Sequence, residues 1–79
     1  MNGMNTDLEH IVRNTLAVDS QIDQVELKFV FPRVTQLDSA AFWACTIVMK
    51  PVGRRKSVKH TGTGRIVNEA VRVALEQLP

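Results

Sequence analysis

The sequence predicts an α+β domain of order α-β-β-β-α, a three-stranded antiparallel sheet with two helices on one face. Apolar residues recur at helical spacing near both ends of the 79-residue chain. Between them lie one stretch of period two and one that is apolar on both faces. No helical segment separates these stretches, so no parallel βαβ unit is built. The result is two packed layers around one core.

The length allows one domain, expected over residues 6–79 behind a disordered N-terminus at 1–5. A chain this short buries only about 60% of its unfolded surface, so stability is thin. Its apolar faces must serve the core, or a second copy must help cover them.

The spacing predicts a helix over 7–17. Thr6 and Glu9 stand as a capping box, each side chain in reach of the other's amide. Leu8, Ile11, Val12 and Leu16 share one face, with His10, Arg13 and Asn14 opposite. Val18-Asp19-Ser20 ends it. Residues 24–31 form a strand in which Val25, Leu27, Phe29 and Phe31 alternate with Gln24, Glu26, Lys28 and Val30. Pro32 stops it, having no amide for the ladder, and 32–40 is a loop.

Ala41 to Met49 reads as the central strand. Trp43, Cys45, Ile47 and Met49 lie on one face and Phe42, Ala44 and Val48 on the other, so the second face is partly covered. Pro51-Val52-Gly53-Arg54 is a turn signal. Arg55 to Thr61 reads as a polar edge strand whose lysines discourage strand-to-strand association. Gly62-Thr63-Gly64 breaks it, with Thr63 capping the helix that follows. That helix, 65–78, has a core stripe of Val67, Ala70, Val71, Ala74 and Leu78, flanked by Ile66, Val73 and Leu75. Phe29, Phe31 and Trp43 are assigned to the core, and Phe42 is the ring expected at the surface.

Composition narrows the function classes. Net charge is only +2, but residues 1–38 hold three bases against six acids, whereas 39–68 hold six bases and no acid. Such segregation makes a positive face on a nearly neutral protein. No apolar run approaches the 18 or so residues of a membrane span, and MNGMNTD lacks the basic and apolar regions of a signal peptide. With Cys45 the single cysteine, a cytoplasmic, reducing setting is expected.

Catalytic chemistry has little to work with. His10, His60 and Cys45 have no pairing at metal-ligand spacing. Cys45 with His60 as base would be a nucleophile in outline only, because a thiol among Trp43, Ile47 and Met49 behaves as a small hydrophobe. The acids are scattered over solvated faces. No enzyme activity, metal or other cofactor is expected. Gly62-Thr63-Gly64 before a helix offers backbone amides to an anion, assisted by Arg65. The P-loop and dinucleotide fingerprints are both absent, however, and a plain strand-to-helix corner explains the glycines.

The candidate binding residues are Lys50, Arg54, Arg55, Lys56, Lys59 and His60, with Arg65 at the start of the last helix. Gathered together they would neutralise phosphates in a salt-sensitive manner or meet an acidic protein surface. The alternative is a turn and edge strand kept soluble by charge.

The stretch Gly62-Thr63-Gly64-Arg65-Ile66-Val67-Asn68-Glu69-Ala70-Val71-Arg72-Val73-Ala74-Leu75, together with the element order, resembles the double-stranded-RNA-binding domain. Gly62, Gly64, Ala70 and Ala74 match that family's structural positions at its last strand-to-helix junction. Where the family's phosphate-contacting lysines stand, this chain has Val67, Asn68 and Val71. Its G-P-x-H loop is replaced by residues 32–40. The resemblance implies the scaffold and leaves out those RNA contacts. The expectation is therefore a small non-catalytic protein-binding module. It would be a stand-alone adaptor or inhibitor of the kind phage and mobile elements encode, able to form a homodimer. A nucleic-acid-binding module using residues 50–65 is the alternative.

Overall fold

A computed structural model describes residues 3–31 and 41–79. It shows α1 (Gly3–Leu16), β1 (Ile22–Val30), β2 (Phe42–Met49), β3 (Lys59–Gly64) and α2 (Val67–Glu76), in the order α-β-β-β-α. The strands form one antiparallel sheet in the order β1-β2-β3. The expected loop at 32–40 lies outside the described residues.

The register defines the two faces of the sheet. Val25 opposes Ile47, Leu27 opposes Cys45, and Phe29 opposes Trp43. Across the other ladder Ile47 opposes His60, Cys45 opposes Gly62, and Trp43 opposes Gly64. This is the inner face. Ile22, Val25, Cys45 and Ile47 are buried there with Ala70 and Ala74 of α2, and Val12 and Leu16 of α1 pack against the same cluster. Both helices therefore cover this face. On the other face stand Glu26, Lys28, Thr46, Lys59 and Thr61, around a half-buried Phe42, Ala44 and Val48. No described element covers that outer face.

Two glycines set the distance between α2 and the sheet. A Cβ on Gly62 would run into the backbone N of Ala74 and stand 2.5 Å from the carbonyl of Ala70. A Cβ on Gly64 would lie 2.7 Å from the Cβ of Glu69 and 2.8 Å from the N of Ala70. Glycine on the strand and alanine on the helix let the backbones nearly touch, sealing Ala70 and Ala74 from solvent. Gly62 and Gly64 thus belong to β3 rather than breaking it, which corrects the strand expected at 55–61.

The helix ends also differ from expectation. α1 begins at Gly3, so Thr6 stands inside the helix and not at its N-cap; its side chain lies outside the described residues. The N-cap of α2 is Ile66, extended at φ −123° and ψ 158°, with no side-chain cap bond. Thr63 therefore does not cap α2. At the far end the side-chain amide of Gln77 donates to the carbonyl of Thr61 (2.6 Å), tying α2 to β3. The buried Thr15 of α1 satisfies its hydroxyl by donating to the carbonyl of Ile11 at 2.7 Å, one turn back.

The aromatic assignment holds for Trp43, which packs against the buried cluster, and fails for Phe29 and Phe31. Phe29 is 40% and Phe31 77% exposed. Their rings meet edge to face at 4.7 Å, and Phe29 lies 5.0 Å from Trp43. Phe42, expected at the surface, is half-buried, as is Trp43. Alternation placed Phe29 and Phe31 on the inner face, but the buried cluster is centred on Ile47 and Cys45 rather than at that end of the sheet.

Candidate functional site

The basic residues expected at 50–59 sit mainly on the loop that joins β2 to β3. Val48 opposite Lys59 is the last ladder pair, and Met49 N–H still donates to the carbonyl of Val58 at 2.8 Å. Lys50 N–H donates to the carbonyl of Gln21 (2.7 Å), which fastens the loop base to the turn before β1. At the tip, Arg55 N–H donates to the carbonyl of Val52 at 3.1 Å, closing a four-residue turn. Gly53 takes φ +61° at its first central position while Arg54 keeps a negative φ, the type II′ pattern that glycine permits.

Beneath this loop is a cleft of about 530 Å³. Its basic lining is Lys50, Arg55, Lys56 and His60, and its apolar lining includes Met49, Val52 and Val58. Gln77 and Pro79, just beyond α2, close one side, while Asp19 and Gln21 close another. His60 reaches the cleft because it lies on the inner face of the sheet, below the C-terminal end of α2. Asp19 is engaged locally, accepting from the Gln21 amide at 2.8 Å. Val52 and Val58 are 68% and 53% exposed and place apolar surface beside the charges of this loop.

The remaining candidates stand elsewhere. Arg54 is exposed at the turn tip, outside the cleft lining. Lys59 opposes Val48 and so projects from the outer face. Arg65 follows the far end of β3; at about 3.3 Å per strand residue it lies about 20 Å from Lys59. The structure brings together four of the sequence-derived residues and separates three. Sequence reasoning missed Met49, Val52, Val58 and Gln77. Two valines inside a run of lysines and arginines were the available signal for half of that set.

Cys45 has no access to this site. It is fully buried under Ala70 and Ala74, and burial raises its thiol above the ordinary value of 9.0. Among the described residues no three His, Cys, Asp or Glu side chains gather as a metal ligand set. None of the helices among them is long and apolar enough to cross a membrane. The Gly62-Thr63-Gly64 stretch faces helix backbone through both glycines, so their missing side chains are accounted for by packing.

No protein-family model, curated protein or solved structure matches the chain. The reading of the cleft rests on its own chemistry.

Proposed function

We propose that the protein is a non-catalytic binding module that holds an acidic segment of a protein partner in the cleft under the 50–58 loop. One observation carries this reading: Val52 and Val58 stand exposed in the same cleft as Lys50, Arg55, Lys56 and His60. Charge alone would suit phosphate or carboxylate equally. Apolar side chains beside the charge suit a peptide, which offers carboxylates and hydrophobic side chains at alternating positions. A single-stranded nucleic acid would instead call for stacking rings beside the basic groups. Here the exposed rings, Phe29 and Phe31, belong to the opposite end of the sheet. The positions of the RNA-contacting lysines in the double-stranded-RNA-binding domain, occupied here by Val67, Asn68 and Val71, point the same way.

The test is a pull-down from nuclease-treated lysate, followed by titration of the captured partner. Arg55→Glu with Lys56→Glu should abolish capture. Val52→Ser with Val58→Ser should weaken binding about ten-fold or more while leaving the net charge unchanged, about the effect of losing two partly buried side chains. Capture that survives the serine pair but vanishes with salt, or that requires nucleic acid, would favour the second reading. In that case the basic loop neutralises phosphates, and Arg54→Ala, Arg55→Ala and Lys56→Ala weaken binding alike across sequences.

A further inference from the structure

We infer that two copies of the chain join through β1, antiparallel and in register about Leu27, to make one continuous six-stranded sheet. β1 is an outer strand of the sheet, with its second edge unpaired among the described residues. Proteins usually blunt such an edge with a short strand, a bulge, proline or charged side chains, lysine above all; the lysine of β1, Lys28, is exposed on the same face as Glu26, two residues away. β3, the other outer strand, is short and carries two glycines. β1 is longer, its one register irregularity lies at its start between Ile22 and Gln24, and Gln24 to Val30 is free of glycine and proline.

Symmetry and charge then select the register. A two-fold axis normal to the sheet requires opposed residues to share a face, so the axis passes through a residue and not between two. Centred on Glu26 it sets Glu26 against its own copy, and centred on Lys28 it sets Lys28 against its own copy. Both arrangements place like charges directly opposite, which is destabilising. Centred nearer either end, the ladder shortens and takes in the Ile22/Gln24 irregularity or the chain beyond Val30. Centred on Leu27 it spans the regular strand from Gln24 to Val30. Glu26 then meets Lys28 of the second copy on the outer face, twice by symmetry. On the inner face Leu27 meets Leu27 and Val25 meets Phe29. Among the described residues, neither Glu26 nor Lys28 has an ion-pair partner within the chain.

The surface above the axis fits the same arrangement. The flank of α1 turned from α2 leaves a groove of about 330 Å³ lined by Leu8, Glu9, Val12, Arg13 and Leu27. Leu27 is thus only half-covered by its own helix. A second copy related through Leu27 brings its own Leu8 and Val12 to that groove, and its strand covers part of the 40%-exposed Phe29. The dimer is isologous and closed, leaving β3 and the basic cleft free. This association is separate from the acidic-segment reading and stands or falls without it.

Sedimentation velocity across a concentration series, with charge swaps at two exposed positions, tests it. The wild-type chain should dimerise. Glu26→Lys and Lys28→Glu should each weaken dimerisation about ten-fold, because each turns both symmetric pairs repulsive. The double swap should restore it to about the wild-type constant. In a second measurement, Glu26→Cys mixed with Lys28→Cys should crosslink under diamide. Directly opposed residues lie about 4.5–5.5 Å apart at Cα, within disulfide range. Glu26→Cys alone should not crosslink, since its own copy sits at a diagonal position about 7–8 Å away. A monomer at all concentrations, a double swap that fails to rescue, or crosslinking indifferent to the pairing would each overturn the inference. Circular dichroism of the single variants separates loss of association from loss of fold.

Discussion

Gly62 shows how one missing side chain sets the position of a helix. The space a Cβ would need is filled by the backbone of α2 at Ala70 and Ala74, and backbone cannot rotate aside. Gly62→Ala should therefore push α2 from β3 and unseat Ala70, Ala74 and Cys45 together. The cost belongs at the upper end of overpacking, about 3 kcal/mol. For a domain of this size that is a fall of about 12–24 °C in the unfolding midpoint, measured by thermal circular dichroism. Cys45 reports the same seal chemically. Its thiol should resist iodoacetamide in the native state and react when the chain unfolds. The sign of its pH effect follows from the raised value: the unfolded chain loses its proton first, so unfolding is favoured as pH rises. The stability involved is fully present below 9.0 and is lost as pH climbs above it towards the folded value. A denaturation series from pH 7 to about 10 in reducing buffer checks this, with Cys45→Ala expected to flatten that part of the curve.

At the scale of elements, most boundaries moved for identifiable reasons. Period two located β1, and a run apolar on both faces located β2, each to within a residue or two, because such patterns are local properties of the chain. β3 slid from the expected 55–61 to Lys59–Gly64. Glycine usually signals the end of a strand, but here it is what the strand needs to lie against α2. The charged residues read as an edge strand became a loop with a glycine-centred turn. α2 begins at Val67 behind an Ile66 whose backbone is already extended, as an N-cap requires. The carbonyl of Ile66 accepts the Ala70 amide (3.2 Å), yet the isoleucine side chain accepts nothing and is exposed. Ile66→Asp should thus stabilise the fold by about 1 kcal/mol, since aspartate takes a free first-turn amide and faces the positive end of the helix. Urea denaturation would register this as a higher midpoint at unchanged slope.

Across the whole molecule, three surfaces have different tasks. The inner face is spent on the core, the loop at one end carries the basic cleft, and the second edge of β1, unpaired among the described residues, is the one proposed above for self-association. A core this small gives a physical motive for the last. If two copies share a sheet, folding and association are linked, and the unfolding midpoint should rise with protein concentration. The six bases without an acid in 39–68 marked the charged region in the sequence itself. The gathering of Lys50, Arg55, Lys56 and His60 did not show there. His60 joins them through the register of β3 against β2, and Arg65 leaves them because the strand carries it to the other end.

The sequence alone determined the order of elements, the antiparallel sheet and the burial of Cys45, Ile47, Ala70 and Ala74. Each follows from short-range periodicity, and hydrophobic faces of known period leave few ways to pack. The tertiary structure decided where β3 begins and ends, where the glycines sit relative to the helix, and which charges share a cleft. Those depend on register and on distances between residues remote in sequence, which period and composition do not encode. The Glu26 and Lys28 of β1 illustrate the division. In sequence they are one solvated face of a strand; on a strand edge unpaired among the described residues, they are the charges the proposed dimer would pair.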